Sequence, residues 1–417
     1  MTNTTPNKQS SDFHKSEIIA LFQRHPAKMT YWLCIYYPIS EKILAKHQEK
    51  IVWSSISKNE NITWTAELIA RFHQKLDWFA ISSNPKLPWS IDFIEQYKHK
   101  FQDFTELSNN TGIPWSYSLL EKYSSKWNWH WLAVNQSIDW TEKMMVDFDQ
   151  FDQNLSRFNG NNLWTEAFIL KYKARFHWGH LCYNPNLPWT EELIEELRST
   201  WIPFERSAHF YAVSPWKGLS ENIGLPWSKK FIKKYLPFPI IHLDGFNWKG
   251  LSRNESLPWK ENLLEEFSSK WDWSLLSCNH QVGFTLEQLD TYKDKIVWEG
   301  SSSNVNTIAI NSSLPWTEEL IERYYDKWHW WGLAMNTGIV WTEALIDKYS
   351  DKLEAYPLFR NPSIPWSLDF LLKYETGCFD ALTNEYGNVS ERMWQGVFQN
   401  MLTDELVDEL LSGSYEN

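Results

Sequence analysis

An aromatic residue returns along this chain at Trp64, Trp89, Trp115, Trp140, Trp164, Trp189, Trp227, Trp259, Phe284, Trp316, Trp341 and Trp366, most often 25 residues after the previous one. A repeat of that length is one supersecondary unit, too small to bury its own apolar face, so successive copies must stack on each other. The period therefore predicts an all-α fold, an α-solenoid of about 13 to 15 short two-helix repeats with degenerate terminal caps. Residues 1–12 read as a polar, disordered N-terminus, 13–388 as the repeat array, and 389–417 as a C-terminal helical cap with a polar outer face.

Each slot of the unit has a physical reading, seen in the copy Leu257–Gly283. Pro commonly precedes the opening Trp, as at Pro88, Pro188 and Pro315, and holds the chain extended there. Ser or Thr follows in nearly every copy, as at Thr65, Ser90, Thr190 and Thr317, where a hydroxyl can accept from a helix's first N–H groups. An apolar pair and then an aromatic, as in Leu320, Ile321 and Tyr324, make one stripe on a helix of about three turns. A second, shorter helix carries Trp78, Trp129, Trp273 or Trp330. An Asn stands five residues before every opening aromatic: Asn59, Asn84, Asn110, Asn135, Asn159, Asn184, Asn222, Asn254, Asn279, Asn311, Asn336 and Asn361. It reads as a ladder of amides that satisfies turn backbone, capping the short helix in the left-handed conformation.

Composition removes several function classes. No run of about 18 apolar residues occurs, which argues against a membrane span, and the N-terminus lacks a secretory pattern. Cys34, Cys182, Cys278 and Cys378 are far apart and read as reduced thiols of a cytoplasmic protein. The net charge of −12 argues against a general nucleic-acid coat. His177, His180 and Cys182 have metal-ligand types at helical spacing, but they occupy ordinary slots of the repeat, so no metal or cofactor is implied. The chain holds no phosphate loop, nucleophile elbow or zinc-protease motif, and the least implausible catalytic trio is His209, His242 and Asp244.

The array breaks its period between Trp189 and Trp316, where insertions give Trp201–Gly218, Leu236–Gly250 and Val305–Asn311. Insertions in repeat proteins map to loops, often on the binding face. Charge changes in the same place: residues 198–260 hold ten cations and four acids within an acidic chain. Arg206, Lys217, Lys229, Lys230, Lys233, Lys234, Lys249 and Arg253 are the candidate cations of an anion-binding patch, with His209, Phe210, Tyr211 and Trp216 as stacking surface. The competing reading is a solvated helix face.

The pattern Trp, Ser or Thr, a Leu-Ile pair, Tyr, Lys-Trp-x-Trp, Leu-Ser-x-Asn and Leu-Pro-Trp resembles Trp-rich tandem repeats of bacterial proteins, over roughly residues 39–389. It is distantly similar to tetratricopeptide and Sel1-like helical solenoids, although its period is shorter. That resemblance implies a binding scaffold, and the lack of a catalytic constellation beside the large repetitive surface argues against an enzyme. The expected function is thus a non-catalytic protein-interaction scaffold that takes a protein or acidic peptide through the 198–260 patch. The alternatives are a self-assembling structural array, or a nucleic-acid or phospho-ligand binder at the same patch.

Overall fold

The computed structural model describes residues 8–148, 158, 163–206, 214–236, 245–300, 306–382 and 388–413. Among them are 28 α-helices and two short 3-10 segments, and no strand. The chain is an all-α repeat solenoid that divides into two compact units, one made of residues 1–114 and 340–417, the other of 115–339. No helix among the described residues is long and apolar enough to cross a membrane.

The local chemistry explains each helix start. The hydroxyl after the opening Trp accepts from the backbone N–H three residues on, as Thr65 does from Leu68, Thr190 from Leu193 and Thr317 from Leu320. Where Lys260 replaces Ser or Thr, no such cap forms. The helix expected from Trp259 is there a 3-10 turn, Trp259–Glu261, then Asn262 at φ 60°, then the short helix Leu263–Glu266.

The second helices stack on one another. In the first unit Pro26–Tyr36, Trp53–Lys58, Trp78–Ser83 and Thr105–Asn109 pack in succession, and Ala355–Phe359 packs on Glu375–Ala381. In the second unit the succession is Trp178–Leu181, Pro215–Glu221, Trp248–Arg253 and Trp273–Ser277. Small residues line these contacts. Ser220 Oγ donates to Trp216 O at 2.6 Å and accepts from Asn247 N at 2.8 Å, tying one second helix to the start of the next.

Asn side chains cross most of these junctions. Nδ2 of Asn254 donates to the carbonyls of Ser220 and Asn222 in the preceding repeat at 2.9 and 3.1 Å, while its Oδ1 accepts from Ser256 N at 2.8 Å. Asn84, Asn110, Asn222, Asn279 and Asn336 make the same pair of donations. The carbonyl of the Asn also accepts from the next opening Trp, as in Trp89 Nε1 to Asn84 O at 2.9 Å. The helix-ending Asn residues are extended, with φ −79° at Asn84 and −72° at Asn254, not left-handed as the sequence suggested. Extension aims the amide across to the neighbouring repeat, where the buried carbonyls need donors. Asn159 lies outside the described residues.

The first helices are tied by charge. The cation before the stripe aromatic reaches back to an acid of the preceding repeat: Lys171 to Glu142 at 2.6 Å, Lys234 to Glu191 at 2.8 Å, Lys373 to Glu343 at 2.9 Å, and Arg323 to Asp290. The phenol beside it joins in, as Tyr324 does on Asp290 at 2.6 Å and Tyr374 on Asp347 at 2.6 Å.

In the first unit the two chain ends meet. His25 stacks on Phe379 with ring centroids 3.7 Å apart, and Trp32 lies 5.3 Å from the same ring. Arg24 holds Glu375 through two bonds of 2.8 and 2.9 Å, and His25 Nε2 meets the same carboxylate at 2.7 Å. Lys46 and His47 share Asp408 at 2.7 and 2.8 Å, Lys15 pairs with Glu409, and Tyr37 donates to Asp404. The terminal faces expected to be solvent-exposed caps therefore cover each other. Residues 1–7 of the expected disordered segment lie outside the described residues, and the first helix is Lys8–Arg24.

Two outcomes follow from these ladders. Asn254→Ala removes both donors from buried carbonyls and should lower stability by about 2–4 kcal/mol, read as a fall in denaturant midpoint at unchanged slope. A change within error would show that the amide is dispensable. The carboxylates of Glu142, Glu195, Asp290 and Asp347 are all held below the usual carboxylate range. Hydrogen bonds from Lys171 and Tyr172, from Tyr235, from Tyr324, and from Lys373 and Tyr374 are the respective leading causes. Their stabilisation is present above the unfolded-state pKa and is lost as pH falls through the lower folded values. The melting temperature should thus hold down to about pH 5 and decline steadily below about pH 4; a flat acid limb would contradict this.

Candidate anion-binding groove

The two adjacent second helices of the insertion region, Pro215–Glu221 and Trp248–Arg253, differ from their sister helices on the exposed side only. Their inner positions are ordinary. Leu219, Ser220, Leu251 and Ser252 are buried, and Trp216 is 2% exposed, set against Trp201, Tyr235 and Phe246. Their closest approach depends on Gly250. A Cβ there would stand 2.5 Å from Ser220 Cβ, inside any tolerable contact.

That approach places Lys217 and Lys249 in the same slot of consecutive helices, directly after the packed Trp, with both side chains exposed. Arg253 sits one turn on, its guanidinium 3.7 Å from Glu221 of the preceding helix. Together with Ser214, Asn247 and Leu275 these groups line a groove of about 420 Å³. Three cations face one carboxylate there. Neither Lys217 nor Lys249 has an ion pair among the described residues. Burial, with the Glu221 charge behind it, pushes the neighbouring Tyr183 phenol up to about 12. Asp272 is held below the usual range, chiefly by the hydroxyl of Ser274, with Lys249 contributing from across the groove.

The remaining sequence candidates separate from this groove. Lys229 and Lys233 both pair with Glu266 of the next repeat, and Lys234 bridges Glu191 and Glu195 of the preceding one. These three lysines tie first helices of neighbouring repeats together. A signal in the sequence could have shown this for Lys234, since Lys234-Tyr235 recurs as Lys171-Tyr172, Arg323-Tyr324 and Lys373-Tyr374. Lys230 is exposed and makes no ion pair among the described residues. Trp216, expected as a stacking surface, belongs to the core because it fills the slot of Trp178 and Trp273. The Arg206 side chain and His209, Phe210 and Tyr211 lie outside the described residues, as do His242 and Asp244 of the weighed catalytic trio. Glu221 and Asn247 were missed, because a carboxylate and an amide do not stand out in a search for cations.

The cysteines are poor nucleophiles. Burial pushes the Cys34 and Cys378 thiols up to about 12 and Cys182 well above its usual value. His177 and His180 stack with ring centroids 4.6 Å apart, and no cluster suited to a metal ion occurs among the described residues.

Gly250→Ala should lower stability by about 1–3 kcal/mol through the forced contact with Ser220. Lys234→Ala should lower the melting temperature whereas Lys230→Ala leaves it unchanged, and equal effects would show that the two lysines do not differ in role. No family model matches this chain, and no curated protein or solved structure matches it.

Proposed function

We propose that the chain is a non-catalytic binding scaffold for an acidic protein or peptide segment, held in the groove of Lys217, Lys249 and Arg253. One observation carries this reading. The slot of Lys217 and Lys249 is filled elsewhere by Ser54, Phe79, Thr105, His130, Gly179, Ser274 and Trp331, so the repeat has no structural need of a cation there. Two exposed ammonium groups side by side raise each other's energy until an anion joins them. Among the described residues no carboxylate forms an ion pair with either of them, in contrast to Lys229, Lys233 and Lys234.

An acidic peptide suits the groove better than single-stranded nucleic acid. Sequence-tolerant binding of single strands rests on exposed rings for the bases, and Trp216, the ring that lines the groove among the described residues, is packed in the core. Glu221 opposes a string of phosphates but can sit between the spaced carboxylates of a peptide. Open-ended self-assembly is disfavoured because the first and last repeats already cover each other's faces. A cytoplasmic setting and kinship with Trp-rich bacterial repeat proteins belong to the same reading, supported by four unpaired cysteines and by the repeat itself.

A fluorescent Glu-rich peptide and a labelled oligothymidine, each titrated with the full chain, test the reading. The peptide should bind and be displaced by poly-glutamate more readily than by oligonucleotide. Lys217→Glu combined with Lys249→Glu should weaken it by about tenfold or more, since about 1.4 kcal/mol of lost contact is already tenfold. Unchanged peptide affinity in that variant, or tighter binding of the oligothymidine, would reject the proposal.

A further inference from the structure

The seam between the chain ends has a chemical direction. In the described ion pairs of the seam the N-terminal side supplies Arg24, His25, Lys46 and His47, and the C-terminal side supplies the carboxylates, Glu375 and Asp408. Neutral contacts keep the same sense. Lys28 donates to Phe379 O, and Lys50 to the carbonyls of Ser412 and Gly413 at 3.3 and 3.0 Å. An acidic chain does not produce such segregation from its composition.

Several internal pairs share this direction, while Lys229 and Lys233 with Glu266, and Lys173 with Glu196, run the opposite way. In Lys171–Glu142, Lys234–Glu191 and Lys373–Glu343 the cation comes from the following repeat and the acid from the preceding one. The first repeat thus sits on the last as an internal repeat sits on its predecessor, with Phe379 between His25 and Trp32 as the shared aromatic contact. The two faces are joined by no peptide link of their own, so the surface that receives residues 24–50 is one that any copy of those residues fits. Their pairs are exposed or half-exposed and therefore sensitive to salt.

We propose that this seam is an exchangeable junction whose second partner is another copy of the same chain: the basic N-terminal face of one molecule docks on the acidic C-terminal face of another. Within one molecule the intervening repeats hold the two faces together, so the closed monomer dominates when the protein is dilute. Exchange of an identical element between two copies preserves every contact of the seam and adds none. It becomes favoured when the intramolecular pairing is repulsive and the intermolecular one is attractive.

Two full-length variants create that condition. One carries Arg24→Glu and Lys46→Glu, so its ends are both acidic; the other carries Glu375→Lys and Asp408→Lys, so its ends are both basic. Each alone should keep its helical circular dichroism, lose amide-exchange protection in residues 14–50, and run as a monomer. Mixed in equal amounts they should form a 1:1 particle of twice the chain mass by light scattering, with protection restored. Protection that persists in each variant alone, or a mixture that stays monomeric, would overturn the proposal. If either variant fails to fold, the wild-type chain decides: concentrated in about 1 M salt, where the seam's charges are screened, and returned to about 0.05 M, it should hold a dimer fraction. A wholly monomeric product overturns the proposal as well.

Discussion

The amide of a buried Asn, reaching from one repeat to two carbonyls of the repeat before it, is the interaction on which the rest of this structure depends. Helices of one or two turns leave most of their carbonyls without an intrahelical partner. In a stack of such helices those carbonyls are buried, and an unsatisfied one costs about 1–3 kcal/mol. Asn84 and Asn254 each donate to two of them and accept from the following turn. The opening Trp then donates its indole N–H to the Asn carbonyl, as Trp189 does to Asn184 at 2.9 Å. One side chain thereby fixes the spacing between repeats, the exit of the short helix and the placement of the next Trp. That triple duty accounts for its presence in every unit when other slots vary.

A rigid inner frame leaves the outer slots open to variation, and charge on them divides by what the frame does with it. Lys171, Lys234 and Lys373 occupy one slot and meet carboxylates of a neighbouring repeat. Lys217 and Lys249 occupy another slot, on the second helices, where neither forms an ion pair among the described residues. The distinction is geometric. On the first helix, the residue before the stripe aromatic lies over the preceding repeat's acidic helix start. On the second helix, the residue after the packed Trp points away from the stack. A lysine of the first kind is tied to a neighbouring repeat, and one of the second kind lines the groove.

The terminal seam shows the same frame working without chain continuity. Its contacts are a stacked His25–Phe379 pair and charged hydrogen bonds from Arg24, Lys46 and His47 to the C-terminal carboxylates.

The repeat period, the helix-capping hydroxyls and the Asn slot were all legible in the residues, because each arises from local chemistry recurring at a fixed spacing. Thr65, Thr190 and Thr317 cap helices wherever such a sequence folds, and Lys260 fails to cap for the same local reason. The concentration of cations in 198–260 was legible too, but not its division. Lys234 is paired because Glu191 of the preceding repeat lies within reach, whereas Lys217 forms no ion pair among the described residues, and that difference is a relation between repeats. The burial of Trp216 and the docking of Arg24 on Glu375 were likewise decided only by the tertiary structure. A sequence lists each charge in its own repeat, whereas pairing energy depends on distance across the stack. The chain ends, 351 residues apart along the sequence, are neighbours in space.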